Sequence, residues 1–111
     1  MTDMQKSENW RHRVEFLQRV SVHGMGGRRL DKYSLLAVVW AGVKFEKMDA
    51  ARQEGKRVYR SQVTLTTHFM DRLMGAERVK IDGKFYEIES LTDKTGLRQF
   101  LECEASSVSL P

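Results

Sequence analysis

Three histidines, His12, His23 and His68, and one cysteine, Cys103, are the side chains of this chain best suited to metal ligation or nucleophilic attack. A His-x-x-x-His or Cys-x-x-Cys pair puts two ligands on one face of a short element, and no such spacing occurs here. His68 lies on the polar side of a strand-like run, and Cys103 ends another, where a small buried apolar residue is the ordinary role. His23-Gly-Met-Gly-Gly27 contains Gly-x-Gly, but Arg28-Arg29 follow it instead of an apolar helix, so it reads as a loop and not as a phosphate cradle. Glu87 and Glu89 share one side of a strand as surface carboxylates. The expectation is therefore no enzyme, no metal and no cofactor.

Binding chemistry is better represented. Lys44, Lys47, Arg52, Lys56, Arg57 and Arg60 place six cations in 17 positions, against Glu46, Asp49 and Glu54. Such a segment suits a polyanion or an acidic protein surface, and it also suits a solvated face with local ion pairs. The aromatic residues are not spaced as a base-stacking platform, so any nucleic-acid contact is electrostatic and blind to sequence.

The whole chain has 111 residues, 19 Lys/Arg and 15 Asp/Glu, for a net charge of +4. That length suits one domain. Residues 1–60 balance at +6 and residues 61–111 at −2. The 41% of hydrophobic and 31% of charged residues mark a folding chain. The longest apolar run, Leu35–Val43, is far below the roughly 20 residues of a membrane helix. A single cysteine excludes an intrachain disulfide, and the polar N-terminus has no signal-like core. A cytosolic place of synthesis and no membrane contact are expected.

These residues need elements to hold them. Residues 1–11 read as a polar arm. Arg13–Val20 alternates apolar Val14 and Phe16 with charge, the period of a half-buried strand. Ser21–Ser34 reads as a glycine-bearing loop. Leu35–Val43 is a β-branched run that reads as a central strand, buried on both faces for part of its length. Phe45–Gly55 holds good helix formers and a thin apolar stripe through Phe45 and Met48, and reads as a short helix or an ordered loop. Val58–Phe69 returns to strand chemistry, with Val63, Leu65 and Thr67 on one face. Met70–Ala76 is a connector. Arg78–Ile81 and Lys84–Ile88 flank Asp82-Gly83, the favoured pair for a type I′ hairpin turn because both positions need positive φ. Leu97–Cys103 is the last strand, and residues 106–111 form a polar tail. Five or six strands and one short helix make a mainly β chain: an antiparallel barrel, closed or nearly so, or a small sandwich. The expected core is Phe16, Val39, Trp40, Val43, Val63, Leu65, Phe85 or Tyr86, and Ile88.

The order of these elements resembles the head–tail joining (head-completion or stopper) proteins of tailed phages, prophages and gene transfer agents. Arg13-Val-Glu-Phe-Leu-Gln18 is similar to the family's opening strand, and Val39-Trp-Ala-Gly-Val43 to its Val-Trp-Ala strand. Val63-Thr-Leu65 resembles the next strand, and Arg78-Val-Lys-Ile-Asp-Gly-Lys-Phe-Tyr-Glu-Ile-Glu-Ser90 its most regular stretch. Leu101-Glu-Cys103 resembles the closing strand. Where the family often ends its third long strand in Arg-Tyr or Arg-Phe, this chain has His68-Phe69. The resemblance spans residues 12–105. It implies a small β-barrel and a virion neck protein forming a homo-oligomeric ring, six-fold or twelve-fold. The ring would sit between a portal-bound adaptor and the tail terminator or tail tube, close the DNA exit channel after packaging and dock the tail. Channel-facing contacts with packaged double-stranded DNA are then expected from Lys44, Lys47, Arg52, Lys56 and Arg57, with Arg28 and Arg29 on a second candidate loop. The competing expectation is a small OB-like barrel that binds single-stranded nucleic acid.

Overall fold

The computed structural model describes residues 10–23, 29–53 and 56–109, with side chains described over 10–21, 32–46 and 61–107. Six strands run in chain order: β1 (His12–His23), β2 (Arg29–Gln53), β3 (Lys56–His68), β4 (Arg78–Ile81), β5 (Lys84–Asp93) and β6 (Phe100–Ser109). All pairings are antiparallel, and the order β1-β2-β3-β6-β5-β4 closes into a barrel. The β1–β4 pairing from Val14 to Leu17 closes the barrel and joins what would otherwise be the two outer edges of the sheet.

Alternation fills the interior. Val14 and Phe16 on β1, Val63 and Leu65 on β3, Val79 and Ile81 on β4, and Leu101, Cys103 and Ala105 on β6 are fully buried. Tyr86 joins them from β5, and Val39, Val43 and Ile88 pack against this core while partly exposed. The β4–β5 turn has Asp82 at φ 51° and Gly83 at φ 82°, the two positive values that a type I′ turn needs.

Several expectations are corrected. The described part of Phe45–Gly55 holds no helix: residues through Gln53 continue β2, where Val43–Asp49 pairs in register with Leu65–Tyr59. Helix propensity is a weak preference, and here it yields to the hairpin ladder with the next strand, β3. The only helical element among the described residues is a 3-10 turn, Asp71–Gly75, in the presumed connector; its Leu73 is fully buried. The loop Ser21–Ser34 shrinks likewise, because β1 runs to His23 and β2 starts at Arg29.

Trp40 is 60% exposed and Phe85 46% exposed, so neither is core. Val39 and Ala41 face inward, which turns Trp40 outward; Tyr86 takes the inward place beside Phe85. Leu35 and Val38 are also exposed, so β2 is not buried on both faces there. At the C-terminus, β6 runs to Ser109 and pairs with β3 as far as Tyr59, which puts residues 106–109 in the sheet and not in a tail. Leu97, expected to open the last strand, is exposed in the preceding turn. Trp10, expected in the polar arm, is only 7% exposed.

β2 has 25 residues, a length that spans roughly 80 Å if straight. The longest dimension of the molecule is 49 Å, so β2 coils strongly. Register shifts opposite Phe16/Leu17 and between Asp49 and Arg52 help it bend. β4 pairs with β1 only from Val14 to Leu17, while β1–β2 pairing continues to His23–Arg29. At the other end β2 outruns β1, whose pairing stops at His12–Ala41. β2 therefore carries two hairpin arms, one at each end of the barrel.

Candidate functional site

The titratable residues do not converge. The His12 Nδ1 lies 3.6 Å from the Asp82 carboxylate at one barrel end. His68 sits on the outer face between the Trp10 ring, edge-on at 4.6 Å, and the Phe100 ring, stacked at 6.1 Å. His23 lies at the end of β1, with its side chain outside the described residues. Burial, with the neighbouring Glu104 charge, pushes the Cys103 thiol up to about 12, so it stays protonated and is a poor nucleophile. Among the described residues no three His, Cys, Asp or Glu side chains are grouped to hold a metal ion.

The basic segment forms the β2–β3 arm. Lys44 is exposed and lies 3.3 Å from Glu46. Lys47 stands opposite Ser61, Arg52 opposite Arg57 and Gln53 opposite Lys56. Arg52 and Arg57 are thus paired by backbone register. Among the described residues β6 pairs with β3 as far as Tyr59, and beyond it β3 pairs with β2 alone. Of the second candidate loop, Arg29 begins β2, and Arg28 lies outside the described residues.

Sequence reasoning missed the outer walls of the barrel. On the β1–β2 wall Arg13 pairs across strands with Trp40, and Glu15 with Val38. Arg13, Val38 and Trp40 are exposed. Next to Trp40 the β2–β3 ladder ends at Gly42–Thr66, and a cleft of about 400 Å³ opens between Trp10, Val39, Trp40, Thr67, His68 and Met70. On the β5–β6 wall, Glu87 pairs with Arg78, and Lys94 donates to Glu102 at 2.9 Å. Glu89 and Glu104 have no ion pair among the described residues. The signal that could have exposed these walls is the strict alternation of Arg13, Glu15, Glu102 and Glu104 with buried neighbours.

The comparisons agree with this architecture. The family model for phage head completion proteins matches residues 6–108. A solved chain from the virion of a native gene transfer agent particle superposes with a TM-score of 0.65 at 17% identity, covering 91% of this chain and 98% of that one. At that identity the likeness is one of fold. No curated protein sequence matches. The family model, matched along nearly the whole length of this six-stranded barrel, places the chain in the phage head completion protein family, among the structural proteins of the virion.

Proposed function

We propose that the protein forms a homo-oligomeric ring, six-fold or twelve-fold, in the neck between the portal-bound adaptor and the tail. In this role it closes the DNA exit channel after packaging and presents the docking surface for the tail terminator or tail tube. The observation that carries the reading is the β2–β3 arm, a two-stranded tip in which Arg52 opposes Arg57 and Lys56 is the next pair. A ring repeats that cationic tip once per subunit around a confined polyanion. One exposed Lys–phosphate contact is weak and salt-screened, but many copies add, and the contact needs no base readout. Family membership and the virion fold match support the setting.

The test replaces Lys47, Arg52, Lys56 and Arg57 with Gln and follows assembled particles. The expected result is normal incorporation of the protein with loss of DNA from filled heads. Heads that keep their genome while lacking the protein identify the arm as a docking surface for an acidic neighbour and overturn the channel role.

A further inference from the structure

The barrel order β1-β2-β3-β6-β5-β4 puts β1 across from β6 and β2 across from β5. The wall bearing Arg13 and Trp40 is therefore diametrically opposite the wall bearing Glu89 and Glu104. We infer that the first wall docks onto the second wall of another copy of this chain, head to tail; this rests on the ring reading above and names the faces that build the ring.

Charge complementarity carries the assignment. On the first wall Arg11 and Arg13 are exposed and have no ion pair among the described residues, while Glu15 faces Lys80 across β1–β4. On the second wall Glu87 is held by Arg78 and Glu102 by Lys94, which leaves Glu89 and Glu104 as the uncommitted anions. The first wall also shows an exposed aromatic side chain, Trp40 on β2. Trp and Arg are the residue types that most often dominate interface energy, because each offers a large contact area with a directed polar or charged group.

The placement also selects the symmetry. A two-fold dimer through the Trp40 wall would bring Arg13 of one copy near Arg13 of the other, two like charges in a partly desolvated contact. Pairing two different walls avoids this, and because they lie on opposite sides each copy can bind two neighbours. Such heterologous contacts close into a ring when the rotation per subunit divides a full turn.

The experiment exchanges the charges. Arg13→Glu is made alone, Glu89→Lys with Glu104→Lys are made together, and all three are combined in one chain. Arg13 and Glu89 are exposed and Glu104 is half-buried, and a thermal melt of each purified variant confirms that the fold is kept. Copies of the protein per assembled particle are then counted. Each wall altered alone is expected to lower incorporation about tenfold, because like charges then meet across the contact, and the combined variant is expected to recover to within about twofold of the parent. Full incorporation of either single-wall variant, or a combined variant as poor as its components, overturns the inference while leaving the ring reading standing. A parent chain present at one copy per particle, or absent from the head–tail junction, overturns both.

Discussion

Thr67 donates its hydroxyl proton to the backbone carbonyl of Trp40 at 2.8 Å, one step beyond Gly42–Thr66, the last pair of the β2–β3 ladder. A side chain thus replaces the backbone donor where β2 passes from its ladder with β3 to its ladder with β1. Thr67 is buried, so its hydroxyl would be costly without this partner.

Thr67→Val keeps the volume and removes the donor. The buried hydroxyl and its bond disappear together, but the Trp40 carbonyl loses its partner, so a loss of about 1 kcal/mol is expected in chemical denaturation. Thr67→Ser, which keeps the hydroxyl, should recover part of it. Equal stability of the parent and the Val variant would show that the β2–β3 junction is held by the ladder alone.

Gly83 stands at φ 82°, and a Cβ added there meets nothing within 4 Å. Any cost of substitution is therefore backbone strain and not crowding. Gly83→Val is expected to lose on the order of 1–2 kcal/mol and Gly83→Asn clearly less, since Asn tolerates the left-handed region. Equal melting temperatures for the two variants would contradict the I′ assignment.

The Asp82-Gly83 hairpin was legible because two adjacent residues state their own backbone requirement. The strand core was legible wherever charged or polar residues alternated with apolar side chains, as at Val14 and Phe16 or Val63 and Leu65. In Leu35–Val43 nearly every position is apolar, so period two cannot say which side faces in, and Trp40 was placed in the core when it lies outside. The Phe45–Gly55 segment failed for another reason. Its helix formers state a local preference, while what holds it extended is the hairpin register with the next strand, Phe45 opposite Val63 and Asp49 opposite Tyr59, and pairing outweighed propensity. The acidic wall was illegible because Glu89 and Glu104 become neighbours only through the β5–β6 register, where Ser90 pairs with Glu104.

Trp40 and Phe16 make opposite predictions from similar chemistry. Phe16 is fully buried, and Phe16→Ala should cost roughly 3–5 kcal/mol, enough to unfold much of the population of so small a domain. Trp40 is 60% exposed, so Trp40→Ala should cost about 1 kcal/mol or less and leave a cooperative melt. If Trp40→Ala destabilises as much as Phe16→Ala, the outward orientation of Trp40 is wrong.

Cys103 makes stability fall at alkaline pH. Burial in the barrel, with Glu104 beside it, pushes its thiol up to about 12, well above the ordinary cysteine range. Below that ordinary range both folded and unfolded chains hold the proton, and the thiol contributes nothing to the pH dependence. As pH rises from about 9 toward 12 the unfolded chain releases this proton and the folded chain keeps it, so the unfolded state binds fewer protons and is favoured, by up to about 1.4 kcal/mol per pH unit. Tyr86, raised by burial and then by the Asp82 charge, acts with the same sign. Urea unfolding of the parent and of Cys103→Ala across pH 7 to about 11 isolates the cysteine's share, since the variant keeps every other titrating group. The parent curve should run parallel to the variant's up to about pH 8 and fall more steeply above it. Parallel curves through the alkaline range would mean that the folded thiol ionises as readily as the unfolded one, and that Cys103 is reached by water.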